Sequence, residues 1–170
     1  MKRLASLAAA LLLAACAAVP PAAIPLDGIP AAFEMNGRLS VAQGGQGEIL
    51  RVRWQHAPAL GVWVLATPVG TEVARIERTA RGLTVQRPGA QPVTASSFAE
   101  LTENLLGAPL DERLLVAWLH GRPFAGPEGW DVTIDESRAI GETTLARRLT
   151  ARREEATVKL VVDDYRVLAP

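Results

Sequence analysis

The feature that most constrains this chain is a repeated alternation of apolar and polar side chains. Apolar positions recur at every second residue over 34–41 and over 48–56, and a Gly-rich run at 44–47 separates the two stretches. Such alternation predicts strands with one buried face, and the short glycine connection predicts an antiparallel hairpin. The same pattern returns later in the chain, at 130–135, 144–151 and 157–162. A mainly β protein is therefore expected.

The centre of the chain changes from this strand period to a helical one. Before the change, shorter runs predict four more strands, at 61–67, 72–78, 83–86 and 92–95. Ser97 and Glu100 then have the spacing of a capping box, which predicts a helix that ends near Gly107. Asp111 is a suitable cap for a second helix, which Gly121 would end.

About nine strands and two central helices favour a mostly antiparallel sheet with helices on one face. The chain has 170 residues, for which a single domain is the default expectation. We expect the folded body to span 33–170. Residues 16–32 precede it and contain four prolines with no periodic apolar pattern, so they are predicted to be a flexible tether.

The first 15 residues have the organisation of a signal peptide. Lys2 and Arg3 form a basic start, and the apolar stretch 4–13 is too short to span a bilayer as a stable helix. It leads to Leu13-Ala14-Ala15-Cys16, which contains the only cysteine and resembles the lipobox of bacterial lipoproteins. In that class of protein the leader is removed and Cys16 carries an S-diacylglycerol group and an N-acyl chain. An ordinary cleaved signal with a chance cysteine is the alternative.

A lipid anchor on Cys16 would determine where the mature protein acts. Each buried methylene contributes about 0.8 kcal/mol, and two or more acyl chains make anchoring stable. Ala17 follows the cysteine, whereas the lipoproteins that this one resembles remain at the inner membrane mainly when Asp stands there. We therefore expect an outer-membrane protein that faces the periplasm, with the covalent lipid and no other cofactor.

Little in the sequence points to catalysis, metal binding or nucleic-acid binding. The 18 basic and 18 acidic residues balance, so no basic excess exists to hold a phosphate backbone. His56 and His120 lack the spacing of metal ligands, and a histidine in the last turn of a helix is favourable to the helix dipole. No nucleophile or phosphate-loop motif occurs. Acidic pairs such as Asp111-Glu112 are expected to be solvated charges, so we predict neither an enzyme nor a metal site.

Two kinds of apolar residue are candidates for binding. Trp54 lies on the apolar face of a predicted strand, and Trp118 lies on the helix stripe that should face the sheet. Such broad, stiff side chains either pack a closed core or form the wall of a lipid cavity. Val69 lies in a Pro-x-Gly turn, where an exposed side chain is normally polar. It is either partly buried or an apolar tip for a bilayer or a partner.

Six short motifs carry a further resemblance and are spread over nearly the whole body. They lie at 35–41, 54–56, 65–70, 106–110, 118–123 and 158–163. Following a lipobox, their order and spacing make the chain resemble the LolB family. Members of that family are outer-membrane lipoproteins that accept other lipoproteins from the soluble carrier LolA.

The resemblance implies an open, unclosed antiparallel β-barrel, covered by two or three helices and enclosing an apolar cavity. The family has eleven strands, so short strands are expected beyond those counted here. Acyl chains of the cargo would enter the cavity, whose walls we expect to include Trp54, Leu65, Trp118 and Leu119. Val69 stands where the family carries an apolar residue, usually Leu, that membrane insertion requires. Because valine is smaller, it should penetrate a bilayer less well.

The expected partners are a LolA-type periplasmic carrier, lipoprotein cargo and outer-membrane lipids, and the protein itself is expected to be a monomer. A structural or scaffolding lipoprotein with a filled core is the alternative, and a periplasmic hydrolase is a third hypothesis. Binding of an apolar probe distinguishes the first two, because a filled core predicts none.

Overall fold

The computed structural model describes residues 24–169 except 25, 127 and 128, which form one sheet and two helices. The strands are β1 (Phe33–Gln43), β2 (Gln46–His56), β3 (Gly61–Ala66), β4 (Glu72–Thr79), β5 (Gly82–Gln86), β6 (Val93–Ala95), β7 (Asp131–Ile140), β8 (Thr143–Arg153) and β9 (Ala156–Val167). The helices α1 (Phe98–Leu106) and α2 (Glu112–Leu119) lie between β6 and β7 in the chain. Neither of these described helices has the length and apolar character needed to cross a membrane.

The strands lie in the order β6-β5-β4-β3-β2-β1-β9-β8-β7, and every neighbouring pair is antiparallel. β6 and β7 are the two edges of this order, so the sheet is not closed by the residues described. The prediction of a mainly β, unclosed antiparallel fold with two helices is confirmed. The additional short strands expected from the resemblance are not found within this part of the chain.

The strand register preserves the alternation seen in the sequence. Trp54 of β2 lies opposite Met35 of β1 and Trp63 of β3, and all three side chains are buried. The intervening residues Arg51 and Arg53 are exposed on the other face. One face of the sheet is therefore apolar, and its buried residues form a single core with those of both helices.

Both helices begin at the caps that the sequence predicts. The Ser97 hydroxyl accepts a backbone N–H of the first turn of α1 at 3.0 Å, and Gly107 ends that helix with a left-handed φ of 71°. Such a φ favours glycine. The Asp111 carboxylate accepts the backbone N–H groups of Arg113 and Leu114 at 2.7 and 3.1 Å. These contacts satisfy N–H groups that a helix start leaves without partners.

The register also defines two ends of the sheet. The turns at 44–45, 67–71 and 154–155 lie at one end, which we call the tip end because Val69 belongs to it. The turn at 57–60, the start of β1 and the end of β9 lie at the opposite end.

The described part of the segment before β1 packs against the body. Its three partly buried apolar side chains contact the core, and they are Ile24, Leu26 and Ile29. The Arg122 guanidinium donates to the backbone carbonyl of Asp27. β1 begins at Phe33, the predicted start of the body, but packed structure already exists before it. Cys16, the leader and the first part of the predicted tether lie outside the described residues.

Candidate functional site

A small apolar void of about 20 Å³ lies between the sheet and the helices. Its walls are Leu39, Trp54, Trp63, Leu65, Ile76, Phe98, Thr102, Leu106, Leu110, Leu115 and Leu160. All of them are apolar except Thr102. A cavity of this size holds roughly one water molecule, whereas sites for drug-sized ligands have about 300–1,000 Å³. The interior is therefore nearly filled.

Two of the four residues predicted for the cavity wall border this void. Trp54 and Leu65 line it, whereas Trp118 and Leu119 do not. Trp118 is completely buried, and its indole N–H donates to the backbone carbonyl of Phe124 at 2.8 Å. Its ring and that of Trp130 pack in a T-shaped arrangement, with centroids 5.9 Å apart. These contacts are those of a packed core residue.

Trp54 and Trp63 form a stacked aromatic pair in the wall of the void. Their ring centroids lie 4.1 Å apart, and Phe98 of α1 packs against Trp63 at 5.3 Å. The indole N–H groups of Trp54 and Trp63 are buried and have no hydrogen-bond partner among the described residues. A buried donor without a partner costs about 1–3 kcal/mol. Both wall residues therefore carry donors that an acceptor oxygen on a guest could satisfy.

An ion-pair cluster of His56, Arg78 and Glu112 joins the start of α2 to the sheet. Arg78 Nε donates to Glu112 Oε2 at 2.7 Å, and His56 Nδ1 lies 3.3 Å from Glu112 Oε1. Arg78 also donates to the backbone carbonyls of Ala57 and Pro58. Burial raises the pKa of Glu112, but the hydrogen bonds and charges of His56 and Arg78 outweigh it and hold the pKa below its ordinary value.

The interpretation of Glu112 as a solvated charge is wrong. Its side chain is only 12% exposed, and Gly61 makes room for it, because a Cβ there would lie 3.0 Å from Glu112 Oε1. Arg78 is distant in sequence, and only the pairing of β3 with β4 brings it to the start of α2. No sequence signal relates the two residues.

His120 follows α2 and forms a buried link to β9. Its Nδ1 lies 2.7 Å from the Val116 carbonyl, and its Nε2 lies 2.9 Å from the Tyr165 hydroxyl. Because a carbonyl only accepts, Nδ1 carries the proton and Nε2 accepts from Tyr165. Burial lowers the pKa of His120 and raises the pKa of Tyr165 to about 12. His120 thus acts as a neutral hydrogen-bonding group rather than as a cation that compensates the helix dipole.

The two helices are anchored to the sheet to different degrees. Six consecutive residues of α2, Leu114 to Leu119, are buried, and the ion-pair cluster and His120 hold its two ends. α1 buries only Phe98, Leu101 and Thr102. Its last two residues, Leu105 and Leu106, are partly buried. Of the two helices, α1 therefore needs less free energy to separate from the sheet.

Val69 lies at the tip of an ordered turn and is 89% exposed. The Thr67 N–H donates to the Thr71 carbonyl at 2.8 Å, and the Gly70 N–H donates to the Thr67 carbonyl at 2.9 Å. Gly70 has a φ of 98°, which residues with a side chain rarely adopt. Of the two alternatives for Val69, the structure therefore has the exposed apolar tip and not the partly buried turn residue.

Comparison with known proteins identifies the family. The family model described as "Outer membrane lipoprotein LolB" matches residues 31–128. An outer-membrane lipoprotein LolB from Thiobacillus denitrificans is 30% identical, covering 97% of this chain and 98% of its own. One from Chromobacterium violaceum is 29% identical, covering 97% and 99%. A DUF1329 family protein from Desulfovibrio piger shares the fold, with a TM-score of 0.51 and 11% identity over 84% of this chain and 87% of its own.

The fold and these matches define the class as outer-membrane lipoproteins that act in lipoprotein localisation and are not enzymes. Within that class, this chain belongs to the LolB family. The resemblance, the expected location at the outer membrane and the expected absence of catalysis are confirmed by this membership.

Proposed function

We propose that this protein receives lipoproteins from a LolA-type carrier, shelters their acyl chains between the sheet and α1, and inserts them into the outer membrane. The observation that carries the proposal is the exposed Val69 on an ordered turn, in a chain of the LolB family. A valine side chain gains about 1.5–3 kcal/mol when it moves from water into an apolar environment. An acylated Cys16 would keep the protein at the membrane where release occurs.

Displacement of α1 would provide the room for acyl chains that the void itself lacks. Exposing Phe98 and Leu101, the apolar side chains that α1 buries, costs about 3–6 kcal/mol. Burying roughly eight methylenes contributes about 6 kcal/mol, which offsets that cost. The unpaired indole N–H groups of Trp54 and Trp63 would donate to an ester or amide carbonyl of the guest. A nearly filled interior is thus compatible with acyl binding that opens the core.

Transfer would need no chemical step. Acyl chains in water carry a cost of about 0.8 kcal/mol for each methylene, so the cargo must pass directly between apolar sites. Each site only has to bind the chains more strongly than the one before, and the bilayer is the last site. The ion-pair cluster of His56, Arg78 and Glu112 then serves to hold α2 in place.

The Val69→Glu variant tests the role of the tip. A carboxylate at a bilayer is costly, so insertion of a lipoprotein into liposomes should slow by roughly tenfold or more. Binding of a fluorescent C16 fatty acid should remain that of the wild type, because Val69 does not border the core void. Val69→Leu should insert faster than the wild type.

The matched control is Val167→Glu, because Val167 is 52% exposed and lies at the opposite end of the sheet. This variant should insert cargo normally. Insertion at the wild-type rate by Val69→Glu would show that the tip has no such role.

A structural lipoprotein with a closed core is the second candidate, and the small volume of the void favours it. Titration of the native protein with the fluorescent C16 fatty acid separates the two candidates. Saturable binding supports acyl transfer, whereas no binding supports the structural role.

A further inference from the structure

A second, open apolar groove lies at the tip end of the sheet and is distinct from the core void. This tip groove has a volume of about 370 Å³, which falls within the range of ligand sites. Its walls include Leu65 and Val73 of the sheet, Leu105 and Leu106 of α1, and Pro68.

The tip groove and the core void share two wall residues, Leu65 and Leu106. Leu65 is a buried strand residue with 2% exposure, so it is fixed in the sheet. Leu106 is only partly buried and is the last residue of α1, directly before the left-handed Gly107. Of the two side chains between the groove and the void, Leu106 is the one that can move.

The tip groove also reaches the turn that carries Val69. Thr67 and Pro68, which form the foot of that turn, are both wall residues of the groove. The groove therefore lies between the wall of the core void and the turn that presents the 89% exposed Val69. Two charged residues, Glu48 and Arg87, line the groove as well, and long side chains of this kind pack their stems on apolar surface while their heads reach water.

We infer that acyl chains leave the core along the tip groove and that Leu106 is the side chain that closes this route. The inference rests on the proposed function, because it assumes that acyl chains bind in the core. An acyl chain is the occupant that fits, since the groove shares wall residues with an apolar void and borders the turn that carries the apolar tip. A chain that follows this path keeps its methylenes away from water until it meets the bilayer, and Val69 marks the point of contact.

Two variants with opposite expected effects test the route. Leu106→Ala removes the closing side chain and should speed release of bound fatty acid, whereas Val73→Trp fills the groove and should slow release. We expect changes of roughly tenfold in each direction. The probe is a fluorescent C16 fatty acid, and its transfer from the protein to phosphatidylethanolamine–phosphatidylglycerol vesicles is followed by stopped-flow fluorescence.

Leu60→Trp is the control, because Leu60 is 38% exposed and lies in the turn at the opposite end. It should release the probe at the wild-type rate. Wild-type rates in Leu106→Ala and Val73→Trp, with normal probe binding, would overturn the route but not the acyl-binding function. Absence of probe binding by the wild type would overturn both. If circular dichroism shows that Val73→Trp does not fold, the rate for Leu106→Ala decides alone.

Discussion

Replacement of Leu110 by alanine is a direct measure of how tightly the core is packed. Leu110 borders the void, is 1% exposed and lies in the loop between α1 and α2. Its backbone N–H donates to the Thr102 hydroxyl at 2.7 Å, which holds the loop in place. Loss of three methylene-sized groups costs about 2.4 kcal/mol in transfer free energy. Because the held loop cannot collapse into the space, a cavity cost adds to this, and we expect a total of about 3–4 kcal/mol.

Urea unfolding followed by tryptophan fluorescence measures this loss. With a slope of about 2 kcal/mol per molar urea, the midpoint should fall by about 1.5–2 M. Leu60→Ala, at a site that is 38% exposed, should change the free energy of unfolding by less than about 1 kcal/mol. A loss below about 1 kcal/mol for Leu110→Ala would refute the reasoning that this loop is fixed and its surroundings filled.

The same variant connects packing to function. If acyl chains occupy the void, the enlarged space in Leu110→Ala should accept a fatty acid more readily than the wild type does. A ligand that binds only the native state, at roughly 100 times its Kd, raises the free energy of unfolding by about 2.7 kcal/mol. A fatty acid that stabilises neither protein would support the structural role instead.

Two further predictions concern the contacts that hold the fold. Glu112→Gln leaves Arg78 without its counter-charge and His56 Nδ1 without its carboxylate partner, and it should cost about 2 kcal/mol at pH 7. Because the folded protein holds the pKa of Glu112 below its ordinary value, the carboxylate contributes stability at neutral pH that is lost as the pH falls through that lowered pKa. Denaturant unfolding at several pH values should therefore show the difference between wild type and variant shrinking in acid, and a constant difference would contradict the ion-pair argument. Gly37→Ala should cost about 3 kcal/mol in the same assay, because its Cβ would meet the backbone carbonyl of Val161 across the β1–β9 bulge. Gly47→Ala is the control, because its Cβ would make only ordinary van der Waals contacts, the nearest at 3.5 Å. It should leave the free energy of unfolding nearly unchanged.

The unequal anchoring of the two helices has a mechanistic consequence. α2 is held by an ion-pair cluster at its start and by the His120–Tyr165 hydrogen bond at its end. α1 has neither kind of contact with the sheet among the described residues, and its C-terminal turn lies over the tip groove. Any opening of the core should therefore begin at α1, close to Val69.

Local patterns were sufficient for most of the secondary structure. The period-two stretches become β1, β2, β7, β8 and β9, and the caps Ser97 and Asp111 begin α1 and α2 where the spacing predicts. These features depend on residues close together in the chain, through side-chain alternation and hydrogen bonds to nearby N–H groups. The turn that carries Val69 could be anticipated for the same reason, because it is itself local, whereas the sequence left open whether that side chain is exposed.

Contacts between distant residues could not be anticipated in this way. The register between strands decides that Trp54 stacks on Trp63 and that Arg78 reaches Glu112. Trp54 and Trp118 both lie on apolar faces predicted from the sequence, yet of the two only Trp54 borders the void.

The sequence by itself therefore determined the type of fold, the order of its elements and the family. Tertiary structure alone decided the size of the interior, which tryptophans line it, and which helix is held by ion pairs. The physical reason is that a pattern shows which side of a strand is apolar, whereas the volume between two apolar faces depends on how all the side chains interdigitate.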